Sequence, residues 1–521
     1  MSGERHSIPI SESPFRPLVG GRLPADVLLR IGPSDATSPA AQHFAWMSLN
    51  LLARLDDVVG TVFLDLPRST AVQVRHLSPF SGEAHLLGHL QAAGRVVRRK
   101  CEVVPYSGQA VAVAVGFGSV ELPSPGLRSV WAGAMGWAGA VRSRPIGEWD
   151  ASADVRNPVG PYVAACLAVG EAFKALMDLD RDRGDYFEDF GIDAYGLRSG
   201  VWDALEREGG DHPSPKETDL GRFYLAGCGA VGNSFAHVLW GLDRIRGEAI
   251  LIDRSDNELG PTNLNRYVMM CPSDIPKRRK ALVLAERLAR VPGLSVIPFD
   301  SGWAYVAKEV SEKGEAAALS TPARPVLANP RPFEHVICCV DSNRSRRALQ
   351  DVLPHTLMLG STLNLRARFS RYDLSPGGGA CIKCFNPAEP DLADETIIDR
   401  FRALLPEGRT ALAQSMGIPS ADVEAWLVTD CPNISQEAKA AFRDGNAPPQ
   451  WSASFCSGLA GTLLAAQYLR LCLADGRSAC SSSSHDFCFL TPNLLHEEAG
   501  RETGCECTST ALRQAWRMKW G

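Results

Sequence analysis

Residues 222–253 read RFYLAGCGAVGNSFAHVLWGLDRIRGEAILID. Four apolar residues, Phe223 to Ala226, form a short buried-strand signal that runs straight into Gly227-Cys228-Gly229-Ala230-Val231-Gly232. The next residues carry a helical apolar face at Phe235, Val238, Leu239 and Leu242. A second apolar strand, Ala249 to Ile252, ends in Asp253, 21 residues beyond Gly232. Strand, glycine turn, helix and strand with an acidic residue at this distance form the pattern of a nucleotide site. Gly227, Gly229 and Gly232 allow the backbone to approach a phosphate, and the helix N-terminus offers it unpaired N–H groups. Asp253 suits a ribose hydroxyl.

Outward from this stretch, the chain of 521 residues has room for two to four domains. Apolar residues make up 45% and charged residues 22%, the balance of a globular protein. A net charge of −5 with no long Lys/Arg run gives no support to a nucleic-acid partner. The polar start MSGERHSIPISESPFRPL lacks an apolar signal core. The most apolar tract, 129–141, is short and Gly/Ala-rich, so no membrane span is expected and the expected location is cytoplasmic. Fifteen cysteines in such a chain suggest metal ligands, reactive thiols and buried apolar residues rather than disulfides. Cys166, Cys338, Cys339 and Cys472 lie in apolar runs and read as core.

Residues 1–23 read as an N-terminal arm, followed by strand and helix signals at 27–32, 40–55, 58–67, 110–117 and 159–178. No intact glycine fingerprint accompanies them; Arg30-Ile31-Gly32-Pro33-Ser34 is at most a degraded turn. Residues 180–220 are polar and turn-rich, as in a domain junction. After 222 the α/β pattern resumes, with a helix at 277–290 and the buried strand HVICCV at 335–340. A strand-like HTLMLGST follows at 355–362, and a long apolar helix opens at Ser454. NPVGPYVAACLAVGEAFKAL (157–176) echoes WSASFCSGLAGTLLAAQYLRL (451–471), which points to a duplicated fold whose first copy has lost its nucleotide motif. The expected architecture is α/β, a doubly wound Rossmann-like fold present twice. Its divisions are an inactive copy at 24–200, a linker at 201–221, an active domain at 222–385, an insertion at 386–450 and the remainder at 451–521.

Four features downstream of the glycine turn suit one chemistry. Asn263-Leu264-Asn265-Arg266-Tyr267 follows the acidic strand end, Lys280 opens the next helix, and Asp341 ends the HVICCV strand with Arg346 five residues on. In a doubly wound sheet such strand ends converge at one edge. A carboxylate there can hold magnesium, and Arg and Lys can clamp triphosphate oxygens. A nicotinamide-dependent oxidoreductase, suggested by the glycine turn and Asp253 alone, leaves these residues unexplained. A silent scaffold leaves the charge set unexplained.

GCGAVG, ILID, NLNRY, Lys280 and VDSNRSRR, followed by CIKC and the small-residue helix, resemble the ubiquitin-activating and ThiF/MoeB/HesA superfamily. The resemblance spans 222–385 and resumes over 451–507. It implies that the glycine turn and Asp253 hold ATP, that Asn263, Arg266 and Lys280 contact ribose and phosphates, and that Asp341 serves magnesium. It implies adenylation of the C-terminal glycine of a ubiquitin-like protein; the family's closest alternative is a sulfur carrier or small peptide. Two departures stand out: Tyr267 replaces a frequent glutamine, and the longer 253–266 segment lets Asp253 and Asp256 share a role.

The Cys381/Cys384 pair is a zinc signal, and the resemblance implies a structural four-thiolate site completed near the C-terminus. Cys505 and Cys507 are the candidates, with Cys488 or a non-cysteine ligand as alternatives. Cys431, inside the insertion, matches the position of the family's thioester nucleophile, with Cys456 as the core alternative. The layout resembles the activating enzymes of bacterial ubiquitin-like conjugation operons used against phage (Bil-type). It implies a ubiquitin-like protein and a conjugating enzyme as partners. Active domains of this family work in pairs, which the fused first half would supply; a homodimer is the further possibility.

Overall fold

The computed structural model describes residues 24–521 except 56–57, 99, 124–127, 147–155, 178, 180–185, 210–211, 216, 255–258, 276–277, 321–330, 376–377, 387–393, 416–417, 429–433, 435–452, 474–481 and 499. The N-terminal arm, Asp256 and Cys431 therefore lie outside the described residues.

Two eight-stranded sheets carry the chain. The first comprises β1 (Ala25–Ile31), β2 (Val59–Asp65), β3 (Glu102–Pro105), β4 (Val113–Phe117), β5 (Arg128–Met135), β6 (Ala138–Arg142), β7 (Asp189–Asp193) and β8 (Arg198–Gly200). The second comprises β9 (Thr218–Ala226), β10 (Ile245–Asp253), β11 (Leu294–Asp300), β12 (His335–Cys338), β13 (Thr356–Leu363), β14 (Arg366–Tyr372), β15 (Ser483–Cys488) and β16 (Leu494–Glu498). Their spatial orders are β3-β2-β1-β4-β5-β6-β7-β8 and β11-β10-β9-β12-β13-β14-β15-β16. In each sheet the first five strands are parallel and the last three run antiparallel. A long apolar helix, Val159–Leu176 or Ser454–Leu473, separates the sixth strand from the seventh in both. Identical order, direction and helix placement make the chain a duplicated Rossmann-like α/β fold.

The parallel strands are apolar because helices cover both faces: Phe223 to Ala226 of β9 and Ala249 to Ile252 of β10 are buried throughout. The two long helices are buried along most of their length for the same reason. Each is long and apolar enough to span a membrane, yet 89% and 83% of their apolar windows are buried inside the protein. They pack in one core shared by both halves. Gly461 brings the 454–473 helix onto the glycine-turn helix Ala230–Gly241: a Cβ there would lie 2.4 Å from Ser234 Cβ and 2.6 Å from the Val231 carbonyl oxygen. On another side Gly458 lies against Cys166 and Met47 of the first half, and Phe455 packs on Phe173.

At the seam, Trp46 Nε1 donates to His237 Nε2 at 2.9 Å, and Tyr162 stacks on His237 with ring centroids 4.7 Å apart. Indole N–H only donates, so His237 Nε2 must carry a lone pair. His43 meets the same Tyr162 edge-on, ring centroids 5.6 Å apart, and lies against Gly241 of the second half; burial holds the pKa of both His43 and His237 down to about 3.

Several elements differ from the sequence reading. The Gly/Ala-rich tract at 129–141 is the β5–β6 hairpin, its small residues letting Gly139 abut the Gly160 carbonyl of the next helix. Residues 189–200, read as junction, supply β7 and β8, and Trp202–Gly209 is a helix within the segment read as linker. Their alternation is too short for periodicity to register. The insertion, in which the sequence suggests one helix near 392–404, holds that helix at Asp394–Arg402 and two more, Pro406–Ser415 and Ser420–Val428, around a separate small core of Ile397, Phe401, Val423 and Ile434.

Gly461→Val is expected to destabilise the protein by about 3 kcal/mol through overpacking against helix backbone, whereas Gly500→Ala, which meets nothing within 4 Å, is expected to be neutral; denaturant unfolding checks both. The two seam histidines have depressed folded-state pKa values. Their contribution is full above the unfolded value of 6.5 and is lost as pH falls toward about 3. Thermal melts are expected to fall across that window, and less steeply in His43→Phe.

Candidate nucleotide site and cysteine cluster

The site begins at the end of β9. Gly227 takes φ +97°, a conformation suited to glycine, and a Cβ on it would lie 2.6 Å from the Cys339 carbonyl oxygen. Gly232 is equally constrained: its Cβ would lie 2.2 Å from the Gly227 carbonyl oxygen. Two of the three glycines are thus required by the turn's own packing, which folds the chain tightly enough to begin a helix at Ala230. Gly229 is the open one, its Cβ position meeting only the Tyr267 hydroxyl at 3.5 Å.

Asp253, at the end of the adjacent strand, accepts the Cys228 N–H at 2.6 Å and so shapes the turn. Burial raises its pKa above the ordinary carboxylate value; Lys280 and the Cys228 N–H pull it back, and Asp341 pushes it further up. Lys280, at the first turn of the helix Lys280–Leu288, is buried. Burial alone would lower its pKa, but Tyr267, Asp253 and Asp341 outweigh it and the ammonium is held above its ordinary value. Arg266 is 3% exposed and also feels Asp341, while burial lowers its pKa. Both cations flank the Tyr267 ring, each 5.8 Å from its centroid. Asp341 is exposed just beyond β12, within electrostatic reach of Asp253, Lys280 and Arg266. The fold therefore brings Gly227, Gly229, Gly232, Asp253, Arg266, Lys280 and Asp341 to one edge of the second sheet.

Two residues take other places. Asn263 Oδ1 accepts the Gly260 N–H at 2.9 Å within a short turn, leaving the amide N–H donors as the part that could meet a ligand. Arg346 donates to the Val340 carbonyl at 3.2 Å and to the Asn343 and Asn386 side chains, bracing the loop after β12. Asn233 was not singled out by the sequence. It donates to the Cys228 and Gly229 carbonyls and accepts the Met269 N–H, joining the glycine turn to the segment that carries Arg266. No motif marks it, because its role depends on contacts 36 residues apart.

The corresponding turn of the first half is built differently. Ile31 pairs with Phe117 as Ala226 pairs with Cys338, so Gly32 stands where Gly227 does and Gly118 where Cys339 does. Pro33 there has no N–H to offer, and the acidic Asp35 fills the turn, its Oδ2 2.5 Å from where a Gly118 Cβ would be. One backbone donor is thereby lost, and the Asp35 carboxylate puts negative charge in the turn.

The second cluster lies in the same half of the chain as the candidate nucleotide site. Cys381, Cys384, Cys505 and Cys507 place their sulfurs within 4.8 Å of one another. Neighbouring pairs are 3.7, 3.6 and 3.7 Å apart. Zinc–sulfur bonds of about 2.3 Å in a tetrahedron require sulfurs roughly 3.8 Å apart, so the donor set fits a closed zinc site. Cys488 lies outside this group, at the end of β15. Lys383 bridges Asp351 and Glu506, and the last helix, Thr510–Trp520, docks through Trp520 Nε1 on the Leu353 carbonyl at 2.7 Å. Burial pushes the Cys456 thiol well above its ordinary value, which suits a core residue and not a nucleophile.

Cys384→Ser is expected to lower bound zinc from one equivalent per chain and to reduce thermal stability, with the C-terminal helix loosened first; elemental analysis and limited proteolysis check it.

The chain is 23% identical to the Uncharacterized protein y4jF of Sinorhizobium fredii over 507 residues, 91% of this chain and 87% of that protein. Among solved structures it is similar to E. coli MccB with ATP, at 13% identity and TM-score 0.34. It is also similar to the microcin C7 biosynthetic enzyme MccB in complex with N-formylated MccA, at 14% identity and TM-score 0.37. Both cover 73% of this chain and 98% of the other. The profile of the ThiF family matches residues 217–507, from the start of β9 to the last cysteine of the cluster. That match spans more than half of the sequence, and the chain belongs to the ThiF family.

Proposed function

We propose that the second half of this chain activates a carboxylate by ATP-dependent adenylation, and that the carboxylate is the C-terminal glycine of a ubiquitin-like protein. The observation that carries the reading is the gathering of Lys280, Arg266, Asp253 and Asp341 around the N-terminus of the Ala230–Gly241 helix. Two buried cations and a helix N-terminus favour a polyanion, and a carboxylate exposed beside them suits its divalent counterion. Hydride transfer needs no such set.

In this reading the glycine turn and Asp253 hold the nucleotide, and the Asn263 amide donors, Arg266 and Lys280 orient its phosphates and ribose. Asp341 would hold magnesium, which supplies charge neutralisation on the phosphate oxygens when bound. A carboxylate oxygen attacks the α-phosphorus, the bond from that phosphorus to the bridging oxygen of the β-phosphate breaks, and pyrophosphate leaves. The acyl adenylate then meets a thiolate. Sulfur attacks the acyl carbon, the carbon–oxygen bond to AMP breaks, and a thioester remains for transfer to a conjugating enzyme. Cys431 is the proposed nucleophile on the grounds of sequence. The tail cysteines hold a structural zinc, since four thiolates leave no open position for water. The first half, with Pro33 and Asp35 in its turn, is the inactive partner, giving one active site per chain. Use against phage belongs to this proposal as the layout's implication.

The test is pyrophosphate–ATP exchange with candidate ubiquitin-like proteins and with their C-terminal peptides. Exchange dependent on the terminal glycine is expected, falling about a hundredfold or more in Asp341→Ala. A reductant-sensitive adduct on non-reducing gels, missing in Cys431→Ala while exchange persists, supports the thioester step. Exchange without any adduct limits the chemistry to adenylation of a sulfur carrier or peptide. NAD binding without ATP binding overturns the reading.

A further inference from the structure

The segment that carries Arg266 and Tyr267 is held by residues of the other half of the chain. Arg54, just past the Pro39–Leu52 helix and 2% exposed, donates from Nη1 to the Leu264 carbonyl at 2.5 Å and from Nη2 to the Met270 carbonyl at 2.8 Å. Its Nε donates to Asn50 Oδ1 at 2.8 Å, and Asn50 Nδ2 donates to the Val268 carbonyl at 2.9 Å. Three carbonyls between 264 and 270 are thereby tied to one helix more than 200 residues away. From its own half the same segment is held by Asn233 and by Arg287, whose Nε donates to the Met269 carbonyl at 2.8 Å.

A loop of this kind is otherwise the softest part of such a site, because few backbone groups outside sheet or helix have fixed partners. Here the Leu264 and Met270 anchors bracket Arg266 and Tyr267, so the guanidinium fork sets the path of the backbone between them. A planar fork with fixed donor directions can hold two carbonyls at once, which an ammonium cannot. The two carbonyls and the Asn50 oxygen share the cost of burying its charge.

We infer that Arg54, with Asn50, is a positioning residue for ATP: it acts through Arg266, and it makes the nucleotide site of the active half depend on the inactive half. This rests on the nucleotide-site reading above. It assigns the motif-less half a definite task, which is to fix the phosphate-binding segment of its neighbour without touching the nucleotide.

The test compares ATP-Mg affinity by calorimetry, with melting temperature alongside, in wild type, Arg54→Met, Arg54→Lys, Asn50→Ala and Gln467→Met. Gln467 is the control: its Nε2 donates to the Ala194 carbonyl at 2.5 Å, joining the halves away from the nucleotide segment. Arg54→Met is expected to weaken ATP-Mg roughly tenfold or more, as misplaced positioning groups do. Arg54→Lys is expected to recover part of that loss, and Asn50→Ala to show a smaller loss of the same sign. Gln467→Met should lower the melting temperature without changing affinity. In an Arg266→Ala background Arg54→Met is expected to cost no further affinity, since its effect passes through Arg266. Equal losses in both backgrounds, an unchanged affinity in Arg54→Met, or a comparable loss in Gln467→Met would each overturn the inference. If Arg54→Met does not fold, Asn50→Ala with unchanged affinity overturns it. Failure of the wild type to bind ATP-Mg would instead remove the nucleotide-site reading on which it stands.

Discussion

The two halves of this chain bury their apolar surfaces in one shared core. The helices at 159–176 and 454–473 are buried along most of their length, with a sheet below and the other half alongside. Small residues set how close the layers come. Gly461 admits the glycine-turn helix, and Gly458 admits Cys166 and Met47 of the first half. The duplicated fold thus has one core with two sheets, and the first half is the wall against which the other half packs.

That shared core is the setting for the electrostatics of the nucleotide site. Burial acts on Asp253, Arg266 and Lys280 alike, and none of them is independent: Asp253 is restrained by Lys280, Lys280 is supported by Tyr267 and both carboxylates, and Arg266 responds to Asp341. Such a set is stable only when its members are held in place. The Asp253–Cys228 hydrogen bond, Asn233 and the backing from Arg54 and Asn50 do the holding. Tyr267, where a glutamine is frequent in the resembling family, lies between the two cations and offers its ring face to both. The departure is therefore accommodated inside the site.

Much of the fold was legible because its signals are local. Strand, glycine turn, helix and acidic strand end occur in order over 32 residues, and apolar runs of this length mark buried parallel strands. The echo between the two small-residue helices announced the duplication, which the matching strand orders bear out. Less legible were β5 and β6, whose Gly/Ala content reads as loop until Gly139 is seen against Gly160. The same holds for β7 and β8, five and three residues long. The two later helices of the insertion contribute too few apolar residues each to raise a period; the small core exists only once they meet the first.

For the site, the sequence by itself determined which residue types stand at which strand ends, because the chemistry of the glycine turn, Asp253, Lys280, Asp341 and the cysteine pair is tied to short spacings. It also supplied Cys505 and Cys507 as candidates, while their selection over Cys488 needed four sulfurs to meet at tetrahedral distances. Only the tertiary structure decided that Arg346 braces a loop, that Asp35 fills the turn of the first half, and that Arg54 reaches the segment carrying Arg266. Those assignments depend on hydrogen-bond directions and close approaches between elements as much as 218 residues apart. Periodicity and spacing carry no information about them, because what fixes them is the packing of one half on the other.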